Sequence, residues 1–266
     1  MWHGFMGRFN YTYSHALDDV SNGGILPYQI TLSQTSILTQ INPSCLRCQN
    51  YSNSDYDLRH NLTANYLYQM PFHSENRLVD AALGGWIMSG TVYFHTGFPY
   101  SLLDAGDFFN EFATNNGSGG ALLAQPIVPV ANSCTSPGVP CYTLGQFAGQ
   151  QNPALSGPCN PCSNPAPTGF GDIRRNTFRG PDYFNTDFSL RKDFRVTERM
   201  GLQLGANAYN VLNHPNFQNP INSTGFGPGV FGTILQTTSP PTTPYGAFAG
   251  SLASARILQV MAKFTF

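Results

Sequence analysis

Arg256-Ile257-Leu258-Gln259-Val260-Met261-Ala262-Lys263-Phe264-Thr265-Phe266 alternates between two chemistries. Successive side chains of an extended strand point to opposite faces. Leu258, Val260, Ala262, Phe264 and Phe266 therefore share one face, and Gln259, Met261, Lys263 and Thr265 share the other. One face suits an apolar medium and the other suits water.

Five earlier stretches repeat this period. Phe5, Gly7, Phe9, Tyr11 and Tyr13 oppose Met6, Arg8, Asn10, Thr12 and Ser14. Leu62, Ala64, Tyr66, Tyr68 and Met70 oppose Asn61, Thr63, Asn65 and Gln69, with Leu67 the exception on the polar side. Trp86, Met88, Val92 and Phe94 alternate with Ser89, Thr91, Tyr93 and His95. Phe184, Thr186, Phe188, Leu190, Lys192 and Phe194 oppose Asn185, Asp187, Ser189, Arg191 and Asp193; Lys192 breaks the apolar side where a long side chain reaches for headgroups. Leu202, Leu204, Ala206, Ala208 and Leu212 oppose Gln203, Asn207, Tyr209 and Asn213, with Asn210 misplaced. The pattern predicts six strands, near residues 3–14, 58–70, 86–97, 183–194, 200–212 and 255–266.

Link lengths supply a second, independent argument. Pro71 to Gly85, with room for a helical turn at Arg77 to Leu83, and Arg195 to Glu198 are short. Ala16 to Tyr56, Tyr100 to Tyr183 and His214 to Ser254 are long and rich in Gly, Pro, Ser, Asn and Thr. Long and short alternate, as they must when successive turns fall on opposite sides of a membrane. The predicted fold is all-β: an antiparallel up-and-down transmembrane β-barrel segment of about six strands, with short periplasmic turns and three long extracellular loops. The run Asn115 to Gly120 has a linker-like composition but lies inside the second loop and marks no boundary.

Composition agrees with a membrane protein. Charged residues make up 10% and aromatics 13%, against roughly 25% charged in soluble domains. Net charge is −1 with no basic cluster, so nucleic acid is not an expected partner. No apolar run is long enough for a spanning helix. Six strands cannot enclose a lumen, since the smallest single-chain barrels have about eight. Residues 1–266 are therefore expected to form the C-terminal part of an incomplete barrel without a plug domain, and Met1 to Phe5 resemble no secretory signal.

The stretch Ser54-Asp55-Tyr56-Asp57-Leu58-Arg59-His60-Asn61-Leu62-Thr63 carries a resemblance. So do Gly84-Gly85-Trp86-Ile87-Met88-Ser89-Gly90, Thr96-Gly97-Phe98-Pro99, Arg179-Gly180-Pro181 and Tyr209-Asn210-Val211-Leu212-Asn213-His214-Pro215-Asn216-Phe217. Together with the last strand they resemble TonB-dependent receptors, most of all the large Oar-like type with a carboxypeptidase-regulatory-like domain. The resemblance implies a barrel of about 22 strands, a plug outside this sequence, and energy from an inner-membrane TonB system.

Several residues are candidates for function. Leu258, Val260, Ala262, Phe264 and the closing Phe266 are similar to the signal read by the barrel-assembly machinery, which pairs with a strand edge. Asn185, Asp187, Ser189, Arg191 and Asp193 form a lumen-facing row that either touches substrate or pairs internally. Tyr11, Tyr13, Tyr66, Tyr68, Trp86 and Phe94 are girdle candidates. Cys45 with Cys48, Cys134 with Cys141, and Cys159 with Cys162 read as locally paired disulfides in an oxidising compartment. Zinc is the weaker reading, because Pro161 interrupts one pair and no ribbon frames either Cys-x-x-Cys. Asp18 and Asp19 beside Asn22 lack the spaced series of a calcium loop. No nucleophile elbow, zinc-protease motif or phosphate loop is present, and His214 before Pro215 reads as a turn residue, so neither enzyme activity nor a cofactor is expected.

The functional expectation is a part of an outer-membrane receptor that binds and imports an unidentified nutrient. The competing readings are a barrel whose loops adhere to surfaces or glycans, and a secreted β-sandwich, which the low charge and link alternation disfavour. Expected partners are outer-membrane lipid, the assembly machinery, further strands and a plug, in the bacterial cell outer membrane.

Overall fold

The computed structural model describes residues 3–19, 21, 51–104, 122–124, 126–135, 137–147, 173–195, 197, 200–222, 228–238 and 255–266. Six long strands form one antiparallel sheet: β1 (Phe5–Tyr13), β2 (His60–Gln69), β3 (Trp86–His95), β4 (Tyr183–Arg195), β5 (Gly201–Tyr209) and β6 (Ile257–Thr265), paired in chain order. Each neighbour is the next long strand along the chain, which is the up-and-down topology predicted.

Register is the feature that organises the sheet. Arg8 pairs with Asn65, Asn65 with Thr91 and Thr91 with Asp187. One row nearer the short links, Met6, Leu67, Ser89, Ser189, Asn207 and Gln259 stand in line across all six strands. No one-residue slip occurs, and any slip would turn a whole strand inside out. The opposite face carries Phe9, Ala64, Val92 and Thr186 in one row and Leu190, Ala206 and Val260 in another.

Several outward aromatics lie toward the two ends, while Phe9 and Phe188 stand in mid-strand. Tyr11, Phe94 and Phe184 lie in adjoining register at the loop end, and Trp86, Phe194 and Phe264 lie at the short-link end. Tyr66 is different. It pairs with Gly90 in mid-strand, where a Cβ on Gly90 would meet both the Asp187 carbonyl and the Tyr66 phenol. The ring occupies the space the glycine leaves, which is a packing role rather than an interfacial one.

Two expectations need correction. Asn210 and Leu212 do not belong to β5, which ends at Tyr209; Asn210 turns the chain with φ of 49°, so the misplaced polar residue was never on the apolar face. Lys192 does not extend toward headgroups: its Nζ turns onto the carbonyls of Asp80 and Gly84, and the side chain is buried. The described parts of the long links are packed. Tyr100, Leu102, Cys134, Tyr142, Phe147, Phe178, Phe231 and Ile234 form a hydrophobic core at the loop end, drawn from the second and third links.

The short link between β2 and β3 contains α1 (Arg77–Leu83). Asn76 caps it, its side-chain oxygen accepting from Leu78 N at 3.0 Å and Val79 N at 3.4 Å. Among the described residues β1 and β6 each pair on one side only, so the sheet is not closed.

Replacing Gly90 with valine should cost about 1–3 kcal/mol, the usual penalty for overpacking a fitted site. The measurement is the temperature at which the heat-modifiable band is lost on a gel, which should fall; an unchanged temperature would show that Tyr66 and the β4 backbone yield without cost.

Candidate functional site

Two regions collect the chemistry: the polar face of the sheet and the rim where the loops leave it. On the polar face, Met6, Arg8, Leu67, Thr91, Asp187 and Asn207 border a concavity of about 830 Å³. It holds a guanidinium at one side and a carboxylate at the other, with amides and hydroxyls between. Met6 and Leu67, adjacent in register, give it an apolar patch, so the sequence exception at Leu67 has a partner.

The predicted row behaves mainly as a self-paired surface. Asn185 Nδ2 donates to Asp187 Oδ1 at 2.9 Å, and Ser189 Oγ donates to Asn207 at 2.7 Å. Asp193 accepts from Gln203 at 2.7 Å. Arg191 is the member whose Nε has no partner among the described residues. Asp187 and Ser189 line the concavity, whereas Asn185, Arg191 and Asp193 do not. Thr91 also bonds Asn65 at 2.9 Å, so the wall is braced across strands.

At the rim, segments far apart in sequence converge. Asp57, with no exposed side-chain surface, accepts from Ala16 N at 2.9 Å, pairs with Arg59 Nε at 3.1 Å and binds Arg179 Nη2. The other guanidinium nitrogen of Arg179 donates to the Asp57 carbonyl at 2.7 Å. Pro99 pairs with Arg179 and Tyr100 with Phe178. Gly97 and Gly180 lie so close that a Cβ on Gly97 would overlap the Gly180 carbonyl, while Gly97 N donates to Asp182 at 3.0 Å.

A second hub lies beside it. The buried Arg175 guanidinium pairs with Asp18 and, at 3.2 Å, with Asp55. Asn176 donates to Asp55 and to the Asn53 carbonyl, and Ser101 Oγ accepts from Asn176 N at 2.9 Å. Burial raises the Asp55 carboxyl above the usual carboxylate range, against the hydrogen bond from Asn176 and the charge of Arg175. Asp18 is thus occupied by Arg175 and by Ser21, whose hydroxyl donates at 2.6 Å, and is not free for the cation considered from sequence.

The third link adds its own brace. Asn210 and His214 exchange side-chain and backbone bonds at 2.9 and 3.0 Å, Asn210 N donates to Asp187, and Asn216 accepts from Phe184 N at 2.8 Å. The His214 ring packs edge-on against Phe184 at 5.6 Å. The loop core above is tied by a Cys134–Cys141 disulfide with a Cα separation of 5.5 Å. Cys45, Cys48, Cys159 and Cys162 lie outside the described residues. In that core the Tyr100 and Tyr142 phenols hydrogen-bond each other.

Of the residues read from sequence as an assembly signal, Leu258, Val260, Ala262 and Phe264 lie on β6 and Phe266 follows it, and Leu258, Val260, Phe264 and Phe266 are exposed. Sequence reasoning missed Arg175, Asn176 and Ser101 altogether. An arginine beside an arginine, Arg174-Arg175, inside a long polar link gave a weak signal at best.

Two outcomes are expected. Asp57→Ala leaves two guanidinium groups facing each other and should loosen the rim by about 2–3 kcal/mol, less than a fully buried pair because Arg59 and Arg179 are 29% and 21% exposed. Limited proteolysis should then cut the loops while the sheet stays heat-modifiable; unchanged protection would show that the hub does not hold them. The second concerns alkali. Burial pushes the Tyr142 phenol up to about 12 and Tyr100 well above its ordinary value. Above the unfolded value of 10.0 the unfolded loop ionises first, so loop stability should fall as pH rises from there toward 12. Tyrosinate absorbance followed together with near-ultraviolet circular dichroism would check this, and early ionisation with packing intact would contradict it.

No curated protein and no solved structure matches the chain. A protein family described as an outer membrane beta barrel domain matches residues 1–259. With a continuous polar face, an apolar face of unbroken parity and alternating link lengths already in place, that match leads to one conclusion: the chain belongs to the outer membrane beta-barrel domain family and resides in the bacterial outer membrane.

Proposed function

We propose that this chain is the C-terminal portion of a TonB-dependent receptor, of the Oar-like type, which binds a nutrient at the cell surface and imports it without chemical change. The observation that carries the reading is the polar wall: six strands of common parity, with a concavity of about 830 Å³ bordered by Arg8, Thr91, Asp187 and Asn207. Lumen-facing polar residues of this kind tune what passes through a barrel. Four of the motif stretches quoted from the sequence, Ser54 to Thr63, Thr96 to Pro99, Arg179 to Pro181 and Tyr209 to Phe217, support the family reading because they lie toward the loop end, where Asp57, Arg179 and Gly97 brace the loops above the wall.

In this reading the open edges of β1 and β6 pair with further strands, and the alternating residues of β6 present an edge to the assembly machinery before closure. A plug fills the lumen and answers to TonB. Specificity belongs to the packed loop body and to the concavity beneath it.

The test is growth and uptake. A strain lacking the gene, and a strain lacking TonB, should share a defect across a panel of labelled siderophores, oligosaccharides, peptides and cobalamins. Arg8→Ala together with Asp187→Ala in the full-length protein should reduce uptake of the affected solute several-fold while the heat-modifiable band keeps its intensity. Uptake that is independent of TonB would sink the energy-coupled reading. Binding of cells to a surface, lost on deletion with every solute still imported normally, would favour adhesion instead.

A further inference from the structure

Helix α1 is inside out for a helix in water. Its carboxylate, Asp80, is 36% exposed and folds back on the preceding link, where Oδ1 accepts from Ser74 N at 3.1 Å and lies 3.0 Å from His73 Nδ1. Its aliphatic residues point away. Leu78 is 81% exposed and Leu83 54% exposed, Val79 is exposed between them, and Phe72 is exposed just before the helix. Leu78 with Ala82, and Val79 with Leu83, stand one turn apart, so these side chains form a continuous apolar surface. A surface helix of a water-soluble protein turns such aliphatic residues inward.

The position of α1 explains the inversion. Lys192 belongs by register to the apolar face, opposite Trp86 of β3 and Leu204 of β5. Its ammonium donates to the carbonyls of Asp80 and Gly84 and stands 5.7 Å from the Trp86 ring centre and 5.1 Å from that of Phe194. The Trp86 indole donates to the Ala82 carbonyl at 2.9 Å. Carbonyls at the end of the helix are thus satisfied by two residues of the outward face. The helix is fastened to the outside of the sheet, at the short-link end, rather than over the polar wall.

We propose that α1 lies in the periplasmic leaflet of the outer membrane as an interfacial anchor, with Leu78, Val79, Leu83 and Phe72 among phospholipid acyl chains and Trp86 and Lys192 bracketing it against the barrel. The occupant is lipid because the apolar surface of α1 is continuous with the lipid-facing side of the sheet. Length agrees. The ten residues of β3, tilted as barrel strands are, span roughly 25 Å of membrane normal, so the apolar band ends about where Trp86 begins. A short amphipathic helix at that level buries its apolar side at the boundary of headgroups and chains. The internal bonds to Lys192 leave no free ammonium to draw the helix into water.

Spin labelling tests this on the full-length protein reconstituted into vesicles of phosphatidylethanolamine and phosphatidylglycerol. Labels at Leu78→Cys and Leu83→Cys are compared with a lipid-facing reference, Met88→Cys, and a turn reference, Thr197→Cys. The ratio of oxygen to nickel-chelate accessibility at 78 and 83 should approach that at 88 and exceed that at 197 several-fold. Ratios equal to the turn reference would overturn the proposal by placing α1 in water. Protection from both reagents would overturn it equally, since it would show contact with protein, such as a second copy. Should Leu78→Cys fail to give a heat-modifiable protein, Ala82→Cys reads the same surface.

Discussion

A backbone amide in hydrocarbon has no water to bond, so a chain that crosses a membrane by strands must satisfy each amide with a neighbouring strand. That requirement fixes the architecture here. Once β1 to β6 are hydrogen-bonded in chain order, the faces of the sheet are coupled, and every strand must keep the same parity as its neighbours. Arg8, Asn65, Thr91 and Asp187 stand in one row because the alternative register would place an ion pair's worth of charge in lipid. The polar wall and the apolar face are therefore one constraint seen from two sides.

The rim obeys the opposite physics. Above the last ladder bonds the backbone meets water again, and long links could remain loosely held. Instead Asp57, Arg59 and Arg179 bind the first link to the second, Arg175 ties Asp18 to Asp55, and an aromatic core joins the second link to the third. Charged hubs of this kind add little net stability compared with apolar packing, but an unpaired buried charge is expensive, so they admit one arrangement. Their contribution is to specify where the loops sit over the wall.

This contrast explains what could be read from the sequence. The strands were legible because period-two alternation is local: Phe5 to Tyr13 or Phe184 to Phe194 announces a strand without reference to anything else. The helix Arg77–Leu83 was legible for a similar reason, as a short apolar run after Asn76. The rim was not. Asp57 and Arg179 are separated by more than a hundred residues, and a salt bridge across that distance leaves no periodic trace. Asn210 looked like an error in an apolar row because the pattern cannot announce that a strand has ended; its positive φ supplies what alternation lacked.

Lys192 shows how such local irregularities carry information when the fold is known. By pattern it is a charge on the wrong face, and the simplest repair is to let the long side chain reach for the membrane surface. The structure repairs it differently, by bringing a helix end to the ammonium and two aromatic rings beneath it. That solution costs the sheet nothing in register, and it makes the exception the point of attachment for α1. Each residue that breaks the alternation thus has a counterpart elsewhere in the structure, Leu67 in the neighbouring Met6 at the concavity and Lys192 in the end of the helix.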